Sequence, residues 1–255
     1  MAEAARVVDR IDAAPRFTAD DVARLNARFA GVETVEMISA VLQAGLIGRV
    51  AAVSSFGAES AVLLHLLARV DPGVTVLFLE TGKHFPETLG YRDMLVARLG
   101  LTDLRSLTPD AVAVAEQDQT GLRWSYDPDG CCEIRKVIPL DRAMAGFDAS
   151  ITGRKGFQSA TRAGLQRFEL DGTRIKFNPL ADWDKSRIEA YMAEHALPPH
   201  PLVEAGYPSI GCAPCTSKVK AGEDPRAGRW RGWEKVECGI HSAVPVSDAG
   251  DEPVF

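Results

Sequence analysis

The chain has 255 residues, 46% of them hydrophobic and 25% charged, with a formal net charge of −6 at pH 7. That length suits one large α/β domain or two small ones, with a core that folds without staples. The acidic balance excludes a broadly basic nucleic-acid face, and no apolar run approaches the roughly 20 residues of a membrane helix. The first residues carry acids and no apolar stretch before a cleavage site, so no secretory leader is expected. Five cysteines in such a chain speak against a disulfide scaffold and for metal or thiol chemistry in a reducing, cytoplasmic compartment.

In chain order, Thr18 before Ala19-Asp20-Asp21 reads as a capping box, followed by Val22, Leu25 and Phe29 at helical spacing. Helical texture continues over 33–46, where Gly45 and Gly48 punctuate it. A short apolar strand over 49–53, a strongly apolar helix over 61–68 and a second apolar strand over 74–79 make a βαβ unit. Strands apolar throughout imply a parallel sheet covered on both faces. Further helices are expected over 87–99, 135–145 and 184–196. Further strands are expected at 104–107 and 149–152, with 174–177 as an edge strand. Beyond Pro198 the texture turns to Pro, Gly, Trp and charge, an irregular and mobile C-terminal segment.

Ligands of such sheets bind at the carboxyl ends of strands, where helix N-termini offer free N–H groups. Ser54-Ser55-Phe56-Gly57-Ala58-Glu59-Ser60 sits at such an end with hydroxyls, a glycine and a following helix. It matches neither the Walker A loop nor Gly-x-Gly-x-x-Gly, and it reads equally as a tight turn with Ser or Glu in capping positions. A second strand end runs through Glu80-Thr81-Gly82-Lys83-His84. His84 reads as a surface residue and His65 as a structural one. A third end, 151–162, gathers Arg154, Lys155 and Arg162, which favours an oxyanion site.

Cys131-Cys132 and Cys212-x-x-Cys215 form two tight pairs able to close a zinc site or hold an iron–sulfur cluster. A dithiol redox pair at Cys212 and Cys215 is a further reading, without the strand-to-helix setting it normally has. Cys238 stands apart in Glu237-Cys238-Gly239-Ile240-His241 as an exposed thiol. The cationic run Arg226 to Arg231 and His241 lie near it in sequence, which makes it a candidate nucleophile.

These motifs together resemble the assimilatory adenylyl-sulfate reductases, the iron–sulfur branch of the adenylyl-sulfate/phosphoadenylyl-sulfate reductase family. The resemblance runs from the Ser54 loop to His241 and includes Thr81-Gly82, Ile151-Thr-Gly-Arg154, Thr161-Arg162-Ala163 and Arg226-Ala-Gly-Arg229-Trp230. It implies an α/β domain of the adenine-nucleotide alpha-hydrolase type, related to the PP-loop ATP pyrophosphatases, over residues 1–221, with a mobile tail over 222–255. It implies reduction of adenosine 5′-phosphosulfate to sulfite and AMP, with Cys131, Cys132, Cys212 and Cys215 holding a [4Fe–4S] cluster. Cys238 would attack the sulfate sulfur and carry an S-sulfonate, with His241 orienting the tail or tuning that thiol. Ser54, Ser55, Phe56, Gly57, Ser60, Thr81, Gly82, Lys136, Arg154, Arg162, Arg226 and Arg229 would bind the substrate. Lys136 would lie between the thiolates and the substrate. The short stretch after His241 implies an external thioredoxin as donor; a homo-oligomer is compatible with this reading, a nucleic-acid or membrane partner is not.

The chain departs from the family at Glu80, where aspartate is commoner before Thr-Gly, and at Lys83, where arginine is common. The alternatives are a phosphoadenylyl-sulfate reductase or dual-specificity enzyme, an ATP pyrophosphatase, and a zinc-stabilised binding protein. The two cysteine pairs argue against the first. The absence of Ser-Gly-Gly-x-Asp-Ser argues against the second.

Overall fold

Helix α1 (Ala19–Arg28) opens with the expected capping box: the Asp21 amide donates to the Thr18 hydroxyl, and the Thr18 amide donates to the Asp21 carboxylate at 2.8 Å. The structure, a computed structural model, describes residues 16–158 and 162–240. Helix α2 (Thr34–Gln43) leads into β1 (Val50–Val53) and α3 (Ser60–Val70). After these come β2 (Thr75–Leu79), α4 (Pro86–Leu99), β3 (Leu104–Leu107) and α5 (Ala111–Gln117). Helix α6 (Pro128–Cys132) and α7 (Ile138–Met144) precede β4 (Ala149–Thr152), β5 (Phe168–Asp171) and β6 (Arg174–Phe177), and α8 (Lys185–Glu194) and α9 (Pro201–Glu204) follow. Among the described residues no helix is long and apolar enough to cross a membrane.

The sheet order is β3-β2-β1-β4-β6-β5, parallel except for β5. From β1 the chain winds outward through β2 and β3, then returns to place β4 on the other side of β1. The strand order therefore reverses between β1 and β4, and the loops leaving their carboxyl ends part there to make a crevice. Helices α2, α3 and α8 cover one face, and α7 packs on β2 and β3 from the other. Helix α3 buries Leu63, Leu64, Leu66 and Leu67, each worth about 1.5–3 kcal/mol. That anchors the loop in front of it.

Two expectations change. The strand at Arg174–Phe177 is interior: β5 pairs with it antiparallel and forms the edge. The hairpin turns through Gly172, which takes a left-handed φ of 61°, and it stacks Phe168 on Phe177 at 4.7 Å. The helix expected over 135–145 is instead a π-helical turn, Glu133–Val137, followed by α7. Pro139 explains the widening, because it has no N–H for the Arg135 carbonyl and its ring crowds that carbonyl.

Candidate active site

The crevice holds a cavity of about 320 Å³ lined by the 54–60 loop, the 153–158 segment and Arg162 after β4, Lys136, the 208–212 segment and the tail through Ile240. In the first loop the Ser54 hydroxyl accepts from the Phe56 amide at 3.2 Å. Phe56 takes a left-handed φ of 48°, a strained conformation for a bulky residue, and turns its ring into the core against Phe78 at 5.6 Å. Ser54, Ser55, Gly57 and Ser60 line the cavity and Phe56 does not. Glu59 occupies the α3 cap position without a capping hydrogen bond. Its carboxylate bonds Lys155 at 2.8 Å and Gln158 at 3.0 Å, tying the first loop to the third.

Thr81 and Gly82 stand behind the cavity wall. The Thr81 hydroxyl lies 3.3 Å from Cys212 Sγ, its carbonyl accepts from Arg135 Nη1 at 2.8 Å, and Gly82 has φ 69°. Arg135 also donates to Asp118 at 2.7 Å from Nη2, and the Asp118 side chain is fully buried. The Ala213 amide donates to the Lys83 carbonyl at 2.7 Å, so the second loop carries the Cys212-x-x-Cys215 turn. His84 is half-buried on the cavity wall rather than on the surface, with Nε2 donating to the Leu79 carbonyl at 2.8 Å.

All five cysteines are free; Cys131, Cys132 and Cys212 are buried, Cys215 and Cys238 half-buried. Cys131 and Cys132 close α6, and Cys212 opens the turn that ends at Cys215. The thiols are near enough to act on one another: charge on Cys212 raises Cys131, Cys132 and Cys215. Burial is the larger effect, pushing the Cys132 thiol up to about 12 and the Cys215 thiol up to about 11. Burial opposes ionisation of Cys212 too, but the Lys136 ammonium, the Thr81 hydroxyl and Arg229 outweigh it and hold that thiol below its usual range. Desolvation likewise disfavours the charge on buried Lys136, and Cys212, Cys238 and Cys132 more than restore it. Among the described residues no three His, Cys, Asp or Glu side chains stand close enough to hold a single metal ion.

The tail folds back on this assembly. The Ser217 amide donates to the Gly228 carbonyl at 2.8 Å and the Trp230 amide to the Cys215 carbonyl at 3.0 Å. A Cβ on Gly228 would lie 2.1 Å from the Ser217 carbonyl oxygen, so only glycine allows this approach. Arg229 is half-buried with its guanidinium 4.4 Å from the Trp230 ring, and its buried Nε has no hydrogen-bond partner among the described residues. Cys238, expected as an exposed thiol, is half-buried on the cavity wall. Arg231 turns away to Glu223 at 3.0 Å. His241 lies outside the described residues.

Most cations of the wall already have carboxylate partners. Arg154 bonds Glu169, Arg162 meets Glu237 at 2.7 Å, and Arg226 meets the same carboxylate at 3.4 Å. Lys185, further out, pairs with Glu189. Lys136 and Arg229 line the cavity with no carboxylate partner among the described residues. Sequence patterning could not find Asp118 or the partners of Glu59 and Glu237, because no periodicity or motif pairs residues so far apart in the chain.

The profile described as a phosphoadenosine phosphosulfate reductase domain matches residues 49–218. The chain belongs to the phosphoadenosine phosphosulfate reductase family. Within that family it is 50% identical over 243 residues to a protein of Mesorhizobium japonicum named adenosine 5′-phosphosulfate reductase, covering 95% of this chain and 96% of that one. A protein of Chelativorans sp. with the same name is 51% identical over 194 residues, 76% of this chain and 79% of its own. A crystal structure of phosphoadenylyl-sulfate reductase from Candida auris, a phosphate complex, superposes with a TM-score of 0.66 at 27% identity, over 80% of this chain and 98% of that one. The family's mostly parallel sheet with flanking helices is the architecture described above.

Proposed function

We propose that this protein reduces adenosine 5′-phosphosulfate to sulfite and AMP in sulfate assimilation, through a Cys238 S-sulfonate and with an external thioredoxin as donor. The observation that carries this reading is the shared cavity. One thiol outside the two cysteine pairs, Cys238, faces the same space as the Ser54–Ser60 loop, Lys136 and Arg229. The names of the Mesorhizobium and Chelativorans relatives support the substrate.

The 54–60 loop, at the positive end of the α3 helix dipole, receives the anionic end of the nucleotide. Lys136 and Arg229 compensate the phosphosulfate and the charge that develops on the leaving phosphate. Arg154, Arg162 and Arg226 shape the mouth, each already engaged with a carboxylate of the chain. The Cys238 thiolate forms a bond to sulfur as the bond from sulfur to the bridging oxygen breaks, and AMP leaves with that electron pair. A thiolate of the donor then attacks Cys238 Sγ and sulfite departs with the bonding pair. The donor's second thiol resolves the mixed disulfide and returns the Cys238 thiolate. His241 serves as an orienting residue on this tail. Residues 1–221 form the nucleotide-binding domain and 222–255 the nucleophile-bearing tail, in a reducing, cytoplasmic setting.

Cys131, Cys132, Cys212 and Cys215 suit a [4Fe–4S] cluster: they are free thiols with no disulfide, and cations surround them, among them Arg135, Lys136 and Arg229. When bound, such a cluster supplies a compact anionic centre against which Lys136 is held.

The test is a single turnover without reductant. The protein mixed with adenosine 5′-phosphosulfate alone is expected to gain one sulfonate by mass, located to Cys238 and lost on adding reduced thioredoxin. Cys238→Ser is expected to gain none. A parent protein that releases AMP without acquiring the adduct refutes the covalent reading.

A further inference from the structure

We propose that Glu237 is a positioning residue, a carboxylate clamped between Arg162 and Arg226 that holds the adjoining Cys238 thiol against the cavity. Oε1 of Glu237 accepts from both Arg162 Nε at 3.0 Å and Arg162 Nη2 at 2.7 Å, and Oε2 lies 3.4 Å from Arg226 Nη2. The same Arg226 nitrogen donates to the Val236 carbonyl at 2.6 Å, so one guanidinium grips the chain both at its backbone and at its carboxylate. The side chains of Arg162, Arg226 and Glu237 are 10%, 20% and 23% exposed, sheltered enough for charge-assisted bonds to outlast solvent screening.

The grip extends inward. Arg162 Nη1 donates to Gln158 Oε1 at 2.5 Å, and Gln158 Nε2 donates to Glu59, which also holds Lys155. One chain of polar contacts thus joins the anion loop before α3, the loop after β4 and the tail. The same flank has a further anchor, Lys235, which pairs with Asp129, two residues before Cys131. Residues 235, 236 and 237 are thus held immediately before Cys238, and on its other side a Cβ on Gly239 would come 3.3 Å from Val137 Cγ2. Adjacent Cα atoms are about 3.8 Å apart, so an anchored Glu237 leaves the Cys238 thiol little freedom.

This has a consequence for charge. Arg162 and Arg226 are cations of the cavity mouth whose task is to seat the nucleophile, leaving Lys136 and Arg229 to meet the substrate's anion. The competing idea is that Glu237 fills an anion site that the nucleotide takes over. In that case removing the carboxylate would strengthen nucleotide binding.

The proposal rests on the reading that Cys238 carries the sulfonate, and the experiment separates the two. Full-length, cluster-loaded Glu237→Gln, Glu237→Ala and Glu237→Asp are compared with the parent in three measurements. These are the single-turnover rate of sulfonation, the affinity for AMP, and the rate of Cys238 alkylation by iodoacetamide. Glu237→Ala is expected to slow sulfonation by about a hundredfold, the loss that misplacing a reacting group brings. AMP affinity stays unchanged, Cys238 is alkylated faster, and Glu237→Asp recovers part of the rate. Sulfonation and alkylation at parental rates in Glu237→Ala overturn the clamp, as does AMP affinity that rises while sulfonation is unaffected. Should the parent itself gain no sulfonate, the proposed function falls, and the alkylation rates alone still decide whether Glu237 holds the thiol.

Discussion

Asp118→Ala tests the frame that carries the second strand-end loop. The Asp118 side chain is fully buried, its carboxylate accepts from Arg135 Nη2 at 2.7 Å and Nε at 3.2 Å, and it also accepts from the Arg123 amide at 2.8 Å. Removing it strands a buried guanidinium, with the Thr81 carbonyl as its remaining acceptor. Breaking a buried pair by deleting one partner costs about 3–5 kcal/mol. At roughly 2–4 °C per kcal/mol for a chain of this size, the melting temperature should fall by about 10 °C. Thermal unfolding followed by circular dichroism under anaerobic conditions measures this. The double variant Asp118→Leu/Arg135→Met removes both charges and should recover most of the loss. Burial alone would raise the Asp118 pKa, but the Arg123 amide and the Arg135 guanidinium outweigh it and hold the carboxyl below the usual range. Its stabilisation is therefore complete above the ordinary aspartate value of about 4 and fades as pH falls through the lowered folded value. The gap between parent and variant should close in strong acid. A single variant melting within about 2 °C of the parent at neutral pH, less than 1 kcal/mol by the same conversion, refutes the reasoning.

His200 is fully buried, accepts from the Leu202 amide through Nδ1, and is pushed by burial down to about 4. The unfolded chain therefore binds a proton that the folded chain refuses between about pH 6.5 and 4, so stability falls as pH falls through that window. His200→Gln should flatten this part of the melting curve against pH, and an unchanged slope would show another group is responsible. Lys136→Met should lower kcat/KM by about 10²–10³, the loss typical of a donor aimed at developing charge, and parental kinetics would remove Lys136 from that role. Gly228→Ala brings a Cβ to 2.1 Å from the Ser217 carbonyl oxygen. It should displace Arg229 and cost about 1–3 kcal/mol, read as a lower melting temperature together with weaker AMP binding.

The core strands were legible in the sequence because a parallel sheet covered on both faces writes itself as short, continuous apolar runs. Val50–Val53 and residues 76–79 are examples. β5 was harder to see: Phe168-Glu-Leu-Asp alternates, is short, and lies on an edge, although Asp171-Gly172 ahead of Thr173 carries the hairpin signal. The π turn over Glu133–Val137 follows from Pro139, whose effect reaches back to the carbonyl four residues earlier rather than ending the helix where it stands. At the site, residue types were readable and partnerships were not. Arg162 and Arg226 lie in sequence beside cations and glycines, while the carboxylate they share is at 237. Glu59 resembles a helix cap locally, and only the fold brings Lys155 to it.

Those partnerships resolve how a chain with a net charge of −6 accommodates an anion. Among the described residues seven cations line the cavity, and Arg154, Lys155, Arg162, Lys185 and Arg226 each meet a carboxylate of the chain. An ion pair inside a crevice presents little net field to a ligand, so the arginine-rich mouth contributes shape and order more than attraction. Lys136 and Arg229 remain, and the phosphate–sulfate mixed anhydride of the proposed substrate brings two negative charges at neutral pH. Both cations also act on Cys238, since charge on that thiol raises each of them. They therefore face Cys238, the proposed nucleophile, across the cavity that all three line. Sulfur transfer carries the sulfonate's charge from the phosphate to Cys238 within reach of the same two cations. Little charge has to be desolvated anew along that path, which is the condition for a preorganised site to favour the transfer over the bound ground state.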